Sequence, residues 1–186
     1  MSSTSQTTAT IEDLHRVEGK AELIAGRIVH YMATGFRPGQ IGGRIYQSLD
    51  FHARSTGRGV ALPDIVGFVV PELSSGRQSF SPDASYFLGE LPSDEMDFLQ
   101  GPPTFAVEVR SKGDYGASAE AEMAAKRADY FEAGTLVVWD VDPKEEWVRS
   151  YRADSPNQPT LFHRGQVADA EPAVPGWRLS LDELFA

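Results

Sequence analysis

Two acidic residues stand where apolar strands should run. In "TFAVEVRSKGD" (Thr104–Asp114), Glu108 lies between Val107 and Val109, and in "SPDASYF" Asp83 follows Pro82. A carboxylate set inside a short apolar strand costs several kcal/mol unless it is paired, protonated or on a metal. If the two strands are neighbours, both carboxylates approach one point, which suits a hard, oxygen-seeking cation such as Mg²⁺. Plainer readings exist for each. Period-two alternation alone would put Ala106, Glu108 and Arg110 on a solvent-facing side, and Pro82-Asp83 by itself reads as an ordinary turn. Pro63-Asp64 precedes a strand-like run in the same way, but consecutive strands tend to be neighbours, and Asp83 leads into the strand before the one carrying Glu108.

The cation that serves these acids is not the one nearest in sequence. Arg110 lies about 7 Å along the strand from Glu108, and Lys112 about 13 Å along, past the strand end at Ser111-Lys112-Gly113. In the helix expected over Ala117–Glu132, Met123, Lys126 and Tyr130 recur at i, i+3 and i+7, so Lys126 falls on the stripe that faces the sheet. The alternative is a lysine that snorkels along apolar surface to water. Glu22, in "KAELI", reads alone as a solvated strand glutamate. His15, His30, His52 and His163 have no metal-ligand spacing, and "GFRPGQIGG" lacks the ending of a phosphate loop.

These residues need elements to place them. Thr10 and Asp13 predict a capping box opening a short helix through "IEDLHRV". "KAELI" and "RIVHYM" flank Ala25-Gly26 as a hairpin with a two-residue turn. Ile41, Ile45 and Leu49 recur at helical spacing from Pro38 until Gly57. Strands are expected at "GVALPDIVGFVV", "PDASYFL" and "TFAVEVRS", then a helix ending at Gly134. "TLVVWDV" reads as a central strand buried on both faces, "EWVRSYR" and "TLFHR" as outer strands, and "SLDELF" as a closing helical turn. The order predicts an α/β fold with a mixed sheet flanked by helices.

The 186 residues suffice for one core, so residues 11–186 are expected to form a single domain behind a flexible stretch, 1–10. An apolar fraction of 41% and a charged fraction of 24% match globular averages. No apolar run reaches the length of a membrane span and no signal leader is evident, which predicts a cytoplasmic protein. With no cysteine, disulfides, thiolate zinc sites and cysteine nucleophiles are excluded. A net charge of -10 argues against non-specific gripping of nucleic acid but allows a local basic cleft; Arg37, Arg44, Arg54 and Arg58 are candidates for phosphate contacts along the first long helix.

Five segments in order, "AELIAGRIV", "SPDASYF", "AVEVRSKGD", "KRADYFEAGTLVVWDVDP" and "VPGWRLSLDELF", resemble the Uma-type family of restriction-endonuclease-like proteins. That large bacterial group, first catalogued as a domain of unknown function, lies within the PD-(D/E)XK nuclease superfamily. The resemblance implies a restriction-endonuclease-like core and divalent-metal-dependent cleavage of DNA phosphodiester bonds, with Mg²⁺ or Mn²⁺ as cofactor. It makes Asp83 and Glu108 the metal-binding acids, Glu22 an additional acid able to hold the metal's water shell, and Lys126 a lysine moved from strand to helix. Arg110 stands where the superfamily has its lysine and is too basic to act as a general base. Gln40 and Glu122 stand where relatives often carry histidine and aspartate. A homodimer is the simplest way to cut two strands. The competing expectation is a catalytically inactive nuclease-fold protein serving as a nucleic-acid-binding or assembly module, and the plainest is an α/β domain whose acids are surface charges.

Overall fold

The computed structural model describes residues 8–186. The elements run α1 (Ile11–His15), β1 (Ala21–Ile24), β2 (Arg27–His30), α2 (Phe36–Thr56), β3 (Val60–Pro63), β4 (Phe68–Val69), β5 (Ser79–Phe80), β6 (Ala84–Phe87), β7 (Leu99–Gln100), β8 (Phe105–Val109), α3 (Ala117–Ala133), β9 (Val137–Asp142), β10 (Trp147–Arg152), β11 (Thr160–His163), β12 (Val167–Asp169), β13 (Arg178–Ser180) and α4 (Leu181–Leu184). Of the stretch expected to be flexible, residues 1–7 lie outside the described residues. Ala9 donates its amide to the Gly26 carbonyl, and Thr10 forms the capping box with Asp13.

A six-stranded mixed sheet, ordered β11-β10-β9-β8-β6-β3, carries the fold. Only β8 and β9 are parallel neighbours in it, and a parallel pair cannot be joined by a tight turn. The crossover helix α3 makes that connection. Period-two alternation then divides β8 between two cores. Phe105, Val107 and Val109 pack with Ile41, Ile45 and Leu49 of α2 and with the C-terminal segment. Ala106 turns to the other face, where Tyr130 of α3 packs with Phe80 and Phe87; Glu108 shares its parity and so projects beneath α3. Gly57 and Gly134, both left-handed, end α2 and α3, because a side chain is disfavoured there.

The run "GVALPDIVGFVV" is not one strand. β3 joins the large sheet, whereas β4 belongs to a three-stranded sheet with β5 and β7. The break comes at Asp64-Ile65: Asp64 Oδ1 accepts the Ile65 amide at 2.7 Å, and Ile65 has a φ of 65°, a conformation that ends extended backbone. Nor is β10 an outer strand, since it lies between β9 and β11. Ala25 and Gly26, both at positive φ, make the tight turn of the β1–β2 hairpin. That hairpin docks on residues 76–79 through Ala25 N to Gly76 O at 2.7 Å and Gln78 N to Leu23 O at 2.8 Å. Among the described residues, no helix is long and apolar enough to cross a membrane.

Candidate active site

Asp83 faces Glu108 because of strand register. Ala84 pairs with Val107 across the antiparallel β6–β8 ladder, so the preceding residue of β6 falls opposite the following residue of β8. The Asp83 amide bonds the Val107 carbonyl at 3.0 Å. One step on, the Asp83 carboxylate replaces the missing backbone acceptor, taking the Val109 amide on Oδ2 at 2.7 Å. Like charges directly opposite in a sheet repel, so this arrangement needs cations.

Two lysines supply them, one to each acid. Lys126 Nζ lies 2.9 Å from Glu108 Oε1 and 3.0 Å from Glu22 Oε1. Lys20 Nζ lies 2.6 Å from Asp83 Oδ1 and 2.7 Å from Asp64 Oδ1. The four expected residues fall into two ion-paired groups, Glu22–Lys126–Glu108 and Asp83–Lys20, brought side by side by the β6–β8 register. Lys20 and Asp64 complete the second group without having been expected. Their signal was present for Lys20 at least: two residues before Glu22, it extends the same face of β1.

Glu22 sits deepest, fully buried. Its Oε1 accepts the Ser81 amide at 3.0 Å as well as Lys126; its Oε2 accepts the Tyr31 hydroxyl at 2.8 Å and Nη1 of Arg77. Four donors surround its two oxygens, so Glu22 is not the solvated strand glutamate that it reads as alone. Burial would raise its pKa, but Lys126 and Arg77 outweigh it and hold the carboxyl below its ordinary value. Arg77 is itself fixed by Asp129 of α3 at 2.8 Å.

Glu108 is held differently. Its Oε1 takes the Tyr130 hydroxyl at 2.6 Å besides Lys126, while Oε2 has no protein hydrogen-bond partner among the described residues. Burial raises its pKa, Lys126 opposes, and the Asp83 charge adds to the rise. Lys126 is raised in turn: burial works against the ammonium, but Glu108 and Glu22 outweigh it. A lysine so held stays protonated at neutral pH and serves as a fixed positive charge rather than as a base.

Lys20, Asp64, Asp83, Glu108, Lys126 and Tyr130 line a cleft of about 610 Å³, with Glu22 buried behind it. Among the described residues, no three His, Asp or Glu side chains converge as a ready-made metal cage. The donor set still fits a magnesium-like ion, which keeps several waters and takes only one or two protein carboxylates; Asp83 and Glu108 are the pair that the β6–β8 register sets opposite each other in the cleft. Arg110 does not join them. It grips Asp140 with Nε and Nη2, both at 2.7 Å, and pairs with Glu120. Lys112 is exposed in a turn. Arg37 and Arg44 are engaged by carbonyls near the C-terminus, Arg37 by Phe185 and Arg44 by Leu184 and Ala186, and Arg54 pairs with Asp50. Of the four arginines considered for phosphate, only Arg58 has neither a side-chain hydrogen bond nor an ion pair among the described residues.

No curated protein matches the chain. Among solved structures, a "putative nuclease belonging to DUF820" from Anabaena variabilis ATCC 29413 superposes with a TM-score of 0.73, at 19% identity over 95% of this chain and 97% of that one. At that identity the likeness speaks to fold, and it agrees with a mixed sheet flanked by helices. The Uma2 family model, described as "Putative restriction endonuclease", matches residues 11–182. That match takes in the first hairpin, both long helices and every strand of the central sheet, and the chain belongs to the Uma2 family.

Proposed function

We propose that this protein is a divalent-cation-dependent endonuclease that hydrolyses phosphodiester bonds in DNA, acting as a cytoplasmic homodimer. The observation that carries the reading is the register of β6 on β8, which sets Asp83 opposite Glu108 in the cleft beneath Lys126. Family membership supports a nuclease in general terms.

In this reading Asp83 and Glu108 hold Mg²⁺ or Mn²⁺, and the bound ion supplies Lewis-acid polarisation of the phosphate and an acidified water. The Val109 amide on Asp83 and the Tyr130 hydroxyl on Glu108 fix the two carboxylates in orientation. Lys126 presents a preorganised positive charge to the phosphate oxygens on which charge builds in the transition state. Glu22 is a positioning residue: buried and saturated, it holds the Lys126 ammonium over the cleft, with Arg77 and Tyr31 keeping it ionised.

The test is cleavage of supercoiled plasmid by purified wild type, Glu108→Ala and Lys126→Ala in Mg²⁺ and in Mn²⁺. Each substitution is expected to slow cutting by about 100-fold or more, and chelation should stop it in the wild type. Variants that cut as fast as wild type would overturn the assignment. A second reading, an inactive nuclease-fold module that binds nucleic acid or a partner, draws on one observation: Lys20 already occupies an Asp83 oxygen. Mn²⁺ binding that disappears with Asp83→Asn speaks against it.

A further inference from the structure

Whereas Lys126 serves Glu108, Lys20 serves Asp83. Its backbone carbonyl accepts the Tyr31 amide at 2.9 Å, just beyond the paired ends of the first hairpin, and its side chain is only 13% exposed. The ammonium bridges Asp83 Oδ1 and Asp64 Oδ1. Because Asp83 Oδ2 already accepts the Val109 amide, Oδ1 is the oxygen free of backbone donors, and a cation that binds there meets Lys20. A monovalent ammonium and a divalent ion cannot both sit at hydrogen-bond distance from one carboxylate oxygen without strong repulsion.

We propose that Lys20 is a displaceable internal counterion: it neutralises Asp83 until a divalent cation arrives, then withdraws onto Asp64 alone. The proposal rests on Asp83 and Glu108 being the cation's ligands. Asp64 makes the withdrawal feasible. Its side chain is 43% exposed, against 22% for Asp83, so the ammonium retains a partner and gains water rather than being stranded. The four-carbon stem of lysine permits that movement. Lys20 is thus a positioning residue that sets cation affinity and touches no substrate.

Calorimetric titration of Mn²⁺ into the full chain tests this without any cleavage assay. Lys20→Gln removes the competitor and is expected to tighten binding by about tenfold. Lys20→Arg keeps the charge, can grip Asp83 with two donors, and is expected to weaken binding several-fold. Asp64→Asn leaves Lys20 with Asp83 alone and should also weaken it, but should have little effect once Lys20 is glutamine. Melting in chelator and in Mn²⁺ adds a second readout: Lys20→Gln should lower Tm in chelator and show a larger rise with Mn²⁺ than wild type. Equal or weaker binding by Lys20→Gln overturns the proposal, as does unchanged or tighter binding by Lys20→Arg should the glutamine variant fail to fold. If Asp83→Asn abolishes wild-type binding while the Lys20 variants match wild type, only the counterion proposal falls. If wild type does not bind, or Asp83→Asn binds as wild type does, the ligand assignment falls and this proposal with it.

Discussion

Lys126 of α3 lies 2.9 Å from Glu108 of β8, a contact made by the parallel crossover rather than by any short spacing along one strand. The same ammonium reaches Glu22, so it is the only lysine among the described residues that ties the crossover helix both to the central sheet and to the first hairpin. Replacing it leaves a fully buried carboxylate dependent on Arg77 for charge compensation. Removing one partner of a buried pair costs about 3–5 kcal/mol. Lys126→Met, close in volume, is therefore expected to lose about that much in urea unfolding with an unchanged m-value. A loss below about 1 kcal/mol would mean that the network relaxes around Glu22 and that Lys126 does not anchor it.

Glu108→Gln should behave in the opposite way. Burial, reinforced by Asp83, holds the Glu108 pKa above its ordinary 4.5 despite Lys126. The folded state then binds this proton more tightly than the unfolded chain does, and ionised Glu108 lowers stability at every pH above its folded pKa. A neutral isostere removes that penalty and keeps the Tyr130 contact. The variant is expected to be at least as stable as wild type at pH 7 while losing Mn²⁺ binding, read by thermal unfolding and calorimetry on one preparation. Destabilisation by more than about 2 kcal/mol would show that Glu108 holds the fold together, as a structural ion-pair partner would.

Much of this arrangement was legible because it is local. Helix periodicity put Lys126 on the Met123–Tyr130 stripe, the glycines at 57 and 134 marked helix ends, and adjacent strands suggested that Asp83 would meet Glu108. Arg77 was illegible. It lies in "SSGRQS", which reads as a polar separator, and reaches Glu22 across 55 residues only because the hairpin docks on residues 76–79. Asp64 was passed over because Asp83 leads into the strand before the one carrying Glu108, and the break at Ile65 that turns Asp64 toward Lys20 lies hidden in one apolar run. The two-residue strands β4, β5 and β7 are too short to show alternation. The burial of Glu22, which alone reads as a solvated strand glutamate, was hidden for a related reason: strand parity says which face a carboxylate takes, but not how many donors await it there.

The acid limb of the stability profile should report on Glu22. Its folded pKa is held below 4.5 by Lys126 and Arg77 against burial, so the unfolded state binds the proton more tightly. The stabilisation is present in full above the unfolded value and disappears as pH falls from about 4.5 through the folded pKa. Glu22→Gln is expected to be less stable at neutral pH by about 3–5 kcal/mol, with a flatter fall in Tm below pH 4.5. If the two proteins lose Tm in parallel over that range, the acid sensitivity belongs to other carboxylates.

Arg110 separates architecture from chemistry within the same cleft wall. Arg110 is 4% exposed, and its guanidinium holds buried Asp140 with two donors, pairs with Glu120, and lies 4.9 Å from the Trp147 ring centre. Glu108 and Asp140 are register partners on β8 and β9, so without Arg110 a second buried carboxylate beside Glu108 would be uncompensated. Arg110→Ala is expected to lose about 3–5 kcal/mol of stability. Arg110→Lys, which keeps the charge but not the planar fork, should recover only part of that loss. Both variants, assayed well below their melting temperatures, should bind Mn²⁺ within about twofold of wild type, because neither Asp83 nor Glu108 bonds Arg110. A tenfold change in Mn²⁺ affinity at intact fold, equivalent to about 1.4 kcal/mol, would place Arg110 in the cation site's own electrostatics and require a direct role for it there.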